Sequence, residues 1–144
     1  MKIMNTQKLV TRGLEPSEVT ALAGSSIYVV DDAEGLPELY SLFLKGTGCI
    51  VRAYNHRAEA LAALIVDRKT PDLLIMDYLG DSMPVDRFMH CCRVVHPSLR
   101  ILMASGLSQT DVQFFSPVRP NRFIRKPFTA GEFLQEVKAA LADE

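Results

Sequence analysis

The chain has 144 residues, 48% hydrophobic and 23% charged, a size and balance suited to one globular domain with its own core. Its 16 basic and 17 acidic residues form no block of either sign, which removes the electrostatic footprint of direct nucleic-acid binding or of an anionic membrane surface. No apolar run approaches the roughly 18 residues needed to span a bilayer, and the polar start lacks the apolar segment of a signal peptide, so a cytoplasmic protein without membrane insertion is expected.

Residues 1–24 show no sustained periodicity and read as an N-terminal extension with room for one short helix begun at Pro16; residues 25–144 read as the domain. From Ser26 onward, short apolar runs alternate with amphipathic segments. The runs are SIYVV (26–30), CIVRAY (49–54), DLLIM (72–76), RILMA (100–104) and RFIR (122–125), which predict five strands. Between them, Leu36, Leu39, Tyr40 and Phe43 recur at helical spacing, as do Ala58, Leu61 and Ile65, and then Phe88, Cys91, Cys92 and Val95. Cys91 and Cys92 fall on that last stripe and are expected as buried thiols, while Cys49 completes a set with no metal-ligand spacing. The segment before the last strand carries Pro117 and Pro120 and has room for barely two helical turns. The final helix is the best marked: Thr129 and Glu132 match a capping box, Phe128 and Phe133 a hydrophobic staple, and Ala130, Phe133, Leu134, Val137 and Leu141 its buried stripe.

Strands alternating with helices predict an α/β fold, a doubly wound parallel sheet with helices on both faces. The central runs are apolar at nearly every position, as strands covered on both faces require. In such sheets the ligand crevice opens beyond the carboxyl ends of the strands. The residues expected just past those ends are Asp31 and Asp32 after the first strand, Asp77 after the third, Ser105 after the fourth and Lys126 after the fifth.

Three carboxylates converging there would repel one another unless a cation sat among them, and an all-oxygen acidic site favours Mg²⁺. A lysine facing a carboxylate suits phosphoryl transfer, which is mostly positioning and neutralisation of charge. Asp77 can then act as nucleophile and form an acyl phosphate, Ser105 can donate to a phosphate oxygen, and Pro127 can direct the lysine through a fixed turn, one option being a cis peptide bond.

On the stretches YVVDDAEGLPELY, PDLLIMDY, ILMASG and FIRKPF, residues 26–142 resemble the receiver domain of two-component response regulators, of the single-domain or hybrid-kinase type. The resemblance implies a flavodoxin-like five-stranded sheet of order 2-1-3-4-5. It further implies that Asp77 accepts a phosphoryl group from a phosphohistidine on a sensor histidine kinase or histidine phosphotransfer protein. Asp32 and Asp77 would bind Mg²⁺, Asp31 would do so through water, and the backbone carbonyl of Leu79 would complete the protein ligands. A switch is implied as well, in which Ser105 moves toward the phosphate and Phe123 turns inward, altering the face a downstream protein reads. Such a domain is not an enzyme in the ordinary sense but promotes its own phosphorylation and dephosphorylation.

The run DYLGDSMPVDRF departs from the family: Pro84 comes late, Arg87 stands where glycine is common, and the insertion bears on which carbonyl serves as ligand. It also adds Asp81, read as a solvated loop residue. Leu79 and Leu107 occupy positions that border the path of a hydrolytic water, and two apolar side chains there are expected to slow dephosphorylation. With nothing after Leu141 able to fold separately, a stand-alone receiver without an output domain is expected. The competing readings are a degenerate receiver that binds partners unmodified and an aspartyl-phosphate phosphatase. The second suffers because Asp31 and Asp32 are adjacent rather than spaced and Asp77 has no part in its scheme. A flavin-binding domain is disfavoured by the two negative charges after the first strand.

Overall fold

The computed structural model describes residues 22–33, 35–80 and 82–142; the helix expected at Pro16 and the loop residue Asp81 lie outside them. The elements alternate in chain order: β1 (Ser26–Val30), α1 (Leu36–Leu44), β2 (Ile50–Tyr54), α2 (Arg57–Val66), β3 (Leu73–Asp77), α3 (Val85–Val95), β4 (Ile101–Ser105), α4 (Gln109–Phe115), β5 (Arg122–Arg125) and α5 (Ala130–Ala142). All strand pairs are parallel, and the five-stranded sheet has the order β2-β1-β3-β4-β5. This is the doubly wound, flavodoxin-like arrangement that the resemblance implied.

The period of two along each strand divides the core. Ile27, Val29, Leu73, Ile75, Leu102, Ala104 and Ile124 point to one face, where α1 and α5 cover them with Tyr40, Leu44, Phe133, Leu134, Val137 and Ala140. Tyr28, Val30, Leu74, Met76, Ile101 and Met103 point to the other, under Ala60 and Leu64 of α2, Phe88, Met89 and Cys92 of α3, and Val112 of α4. β1, β3 and β4 are buried on both faces, so truncating a side chain such as Ile75 to alanine costs about 2–5 kcal/mol. Leu22, on the extension side of the expected boundary at residue 25, is buried in the first cluster.

Three helices sit at a different phase from the one their apolar spacing suggested. α1 buries Pro37, Tyr40 and Leu44 and leaves Leu39 exposed. α3 buries Phe88, Met89 and Cys92, with Cys91 only half-buried. The largest rotation is in α2, where Arg57, Ala60 and Leu64 face inward while Ala58 and Ile65 are exposed. The physical reason lies in Arg57, whose inward guanidinium meets carbonyl groups of the segment after β3 and sets the phase of the whole helix.

α4 has the expected two turns, with the Ser108 side chain accepting from the Asp111 N–H at its start. α5 carries the expected box: the Thr129 N–H donates to Glu132 Oε1 at 3.0 Å and the Glu132 N–H donates to Thr129 Oγ1 at 3.1 Å. Phe128 and Phe133 stack with ring centroids 5.5 Å apart. The Lys126–Pro127 peptide bond is cis.

Candidate functional site

Parallel pairing fixes where the polar residues emerge. β3 and β4 stay in register through Asp77 and Ala104, and β4 and β5 through Ser105 and Arg125. Asp77 and Ser105 are thus the last residues of their strands rather than the first beyond them, because ladder hydrogen bonding continues one residue past the apolar run. Asp31, Asp32 and Lys126 stand just past β1 and β5, as expected.

Lys126 gathers the acids. Its N–H donates to the Ser105 carbonyl at 2.7 Å, which aims the side chain back across the sheet. Its Nζ donates to Asp77 Oδ1 at 2.7 Å and reaches Asp31 Oδ2 at 3.5 Å. The other Asp77 oxygen accepts from the Leu79 N–H at 3.0 Å, and Asp31 Oδ1 accepts from the Ala33 N–H at 2.9 Å. Burial of Asp31 pushes its carboxyl pKa up, more than the Ala33 N–H and Lys126 pull it down, and Asp77 adds to the rise. Burial alone would lower the Lys126 pKa, but the hydrogen bond to Asp77 and the nearby Tyr40, Asp77 and Asp31 outweigh it and raise the pKa.

Tyr40 belongs to this environment though the sequence marked it only as core. Its ring stacks on Phe133 and Phe128, and its hydroxyl, in a residue only 1% exposed, makes no hydrogen bond of good geometry among the described residues, with Lys126 its nearby charged neighbour. Burial pushes its pKa up to about 12, with Asp31 and Asp77 adding to the rise and the nearby Lys126 working against it.

Asp32 turns against the segment after β3. Gly80 there has φ +84°, and a Cβ on it would stand 2.2 Å from Asp32 Oδ1. Only a glycine permits this approach of backbone to carboxylate. Leu79 is 57% exposed, and with Val30, Asp31, Asp32, Arg57 and Asp77 it lines the crevice. The Ser105 hydroxyl is buried and accepts from the Leu107 N–H at 2.9 Å, so it is engaged away from Asp77. Phe123 is half-buried against the second core cluster.

Sequence reasoning missed Arg57. It is buried, and its guanidinium donates to the carbonyls of Met83, Asp77 and Tyr78 at 2.6, 2.8 and 3.1 Å. The one available signal was a cation in the first turn of a helix, where the helix dipole disfavours it.

Among the described residues, no group of three or more His, Cys, Asp or Glu side chains is gathered as a metal cage. Mg²⁺ asks for less than a cage, since it takes one or two carboxylates and fills its remaining positions with water and phosphate. The donors are all hard oxygens, and the buried Asp31 charge is only partly offset by Lys126, so the residues present fit such an ion.

No protein-family model matches the chain. Over 118 residues it is 30% identical to the DNA-binding response regulator MtrA of Mycobacterium tuberculosis (strain ATCC 25618 / H37Rv), covering 80% of this chain and 50% of that protein. The chain thus spans about half the length of the curated relatives it matches. Among solved structures, the chemotaxis protein CheY4 of Vibrio cholerae superposes with a TM-score of 0.72 at 24% identity, over 82% of this chain and 99% of that one. A CheY-like receiver domain protein of Methanospirillum hungatei JF-1 gives the same TM-score at 20% identity, over 81% and 93%. Sequence likeness, strand order and fold agree on a receiver domain like those of response regulators.

Proposed function

We propose that the chain is the phosphoacceptor of a two-component phosphorelay, taking a phosphoryl group from a phosphohistidine of a sensor kinase or phosphotransfer protein onto Asp77. One observation carries the reading: Lys126 Nζ lies 2.7 Å from Asp77 Oδ1, at the carboxyl edge of the sheet, beside the buried Asp31. In the transfer, an Asp77 carboxylate oxygen bonds to phosphorus as the P–N bond of the phosphohistidine breaks, and the imidazole leaves with the electron pair. Lys126 holds the carboxylate in place beforehand and neutralises charge on the phosphoryl oxygens afterward. Asp31, Asp32, Asp77 and the Leu79 carbonyl would hold Mg²⁺, which supplies neutralisation of the phosphoryl charge when bound.

In this reading Ser105 exchanges the Leu107 N–H for a phosphoryl oxygen, and Phe123 completes its burial in the space vacated, which alters the face presented to a downstream protein. The exposed Leu79 and the half-buried Leu107 flank the path by which water would reach the acyl phosphate and slow its hydrolysis.

The test is intact mass after incubation with acetyl phosphate and Mg²⁺, beside an Asp77→Asn variant. A gain of one phosphoryl group, absent from the variant, supports the reading. No gain with either Mg²⁺ or Mn²⁺ refutes it and leaves an interaction module that works unmodified.

A further inference from the structure

We propose that Arg57 is the positioning residue of the phosphoacceptor segment: its buried guanidinium ties both ends of residues 78–84 to the start of α2 and so fixes Asp77, the Leu79 carbonyl and the Gly80–Asp32 contact in one arrangement. The inference rests on Asp77 being the phosphoacceptor.

Burying a charge is costly unless its donors are satisfied, and Arg57 is only 4% exposed. Its placement also breaks two local rules: a cation in the first turn opposes the α2 dipole, and an apolar residue at this position would fill the core without penalty. Such violations concentrate at functional sites. What the residue achieves is specific. One nitrogen of the fork takes the Met83 carbonyl at the far end of the segment at 2.6 Å, while the other takes the Asp77 and Tyr78 carbonyls at its near end at 2.8 and 3.1 Å. The segment is thus closed into a loop by a planar cation that keeps its charge at every working pH.

The loop is where the chemistry sits. Asp77 is held from three directions: its carbonyl by Arg57, one carboxylate oxygen by Lys126 and the other by the Leu79 N–H. The first contact places the backbone, and the other two place the side chain. Gly80 is packed so closely on Asp32 that displacing the loop displaces that carboxylate too. The guanidinium joins the two ends of the loop directly, and misplacement by about 1 Å is enough to slow an oriented transfer by about 100-fold.

The experiment uses the full chain with Arg57→Lys and Arg57→Gln, and Tyr28→Phe as a control that removes the Tyr28–Asp67 hydrogen bond at the other end of α2. Amide hydrogen exchange is followed in metal-free protein, Mg²⁺ binding by calorimetric titration with the metal alone, and phosphoryl uptake from acetyl phosphate by intact mass. Both Arg57 variants are expected to speed exchange at Leu79 and Gly80 by about tenfold with Ile75 and Leu102 unchanged, to weaken Mg²⁺ binding by about tenfold, and to slow uptake by about 10- to 100-fold. Arg57→Lys keeps the charge but loses the fork, so it should not rescue. Folded variants whose loop exchange and Mg²⁺ affinity stay within about twofold of wild type overturn the proposal, as does a rise in exchange spread over the whole sheet, or one at Leu79 and Gly80 that Tyr28→Phe reproduces. If the wild-type chain takes no phosphoryl group, the proposed function falls, and the exchange in metal-free protein still decides whether Arg57 anchors the loop.

Discussion

Lys126 and Asp77, 49 residues apart in the chain, meet at 2.7 Å across the end of β4, which lies between their strands. The ammonium is a point charge shared between Asp77 and Asp31, and its loss leaves those carboxylates without their common cation. Lys126→Ala is therefore expected to slow phosphoryl uptake at Asp77 by about 100-fold, followed as mass gain against time with acetyl phosphate. Lys126→Arg should restore little, because a planar fork does not replace a compact ammonium. Uptake at the wild-type rate in Lys126→Ala would remove the lysine from the chemistry.

Gly80 and Asp32 behave as one unit. Gly80→Ala drives a methyl group onto the carboxylate and strains a residue at φ +84°, so it should cost about 1–3 kcal/mol in urea denaturation. In an Asp32→Ala background the clash disappears and only the backbone strain remains, so the same substitution should cost clearly less. A double-mutant cycle that proves additive would show that the two residues do not touch.

Tyr40 presents the opposite case, a polar atom whose removal should help. Among the described residues the buried hydroxyl has no hydrogen-bond partner of good geometry, while its ring stacks on Phe128 and Phe133. Tyr40→Phe keeps the stacking and is expected to raise the unfolding free energy by about 1 kcal/mol with an unchanged denaturant slope. A loss of that size would mean instead that the hydroxyl serves Lys126 or Asp31.

Asp31 sets a pH dependence whose sign follows from burial. A carboxyl whose folded-state pKa is raised above 3.8 binds its proton more tightly folded than unfolded. It therefore supports the fold below pH 3.8, and that support is lost as the pH rises through the raised value, leaving a charged, buried group at neutral pH. Asp31→Asn is expected to raise Tm at pH 7 in metal-free protein, and the gain should vanish toward pH 3.8. Lys126 runs the other way along the scale: its raised pKa contributes stability that persists below pH 10.5 and is lost only at more alkaline pH. A Tm for Asp31→Asn at or below that of the wild type at pH 7 would count against the buried-charge account.

The polar residues at the strand ends were legible because the code behind them is local: an apolar run ends, and an acid, hydroxyl or lysine follows. RFIR matched β5 and SIYVV matched β1 residue for residue, while DLLIM and RILMA each began and ended one residue early, so that Asp77 and Ser105 take the last ladder positions. Helix phase was harder. In α2, Ala58, Leu61 and Ile65 and the stripe Arg57, Ala60 and Leu64 are one residue out of step, and hydrophobicity alone favoured the wrong one because it assigns arginine to solvent. What turned the helix was a set of carbonyl groups some 20 residues downstream, at Asp77, Tyr78 and Met83, which no periodicity in α2 itself can register. The Tyr40 hydroxyl was hidden for the same reason, since its neighbour Lys126 comes from the other end of the domain.

The capping box of α5 gives Lys126 a mechanical role beyond its charge. Only Pro127 and Phe128 separate the lysine from Thr129, whose paired bonds with Glu132 lock the first turn, and Phe128 packs against both Tyr40 and Phe133 in a three-ring cluster. At the far end of this 13-residue helix, the Arg100 guanidinium donates to the Leu141 carbonyl and fastens it to the start of β4. A helix fastened at one end and joined by so short a tether to the ammonium at the other couples the position of Nζ to the seating of α5 on the sheet.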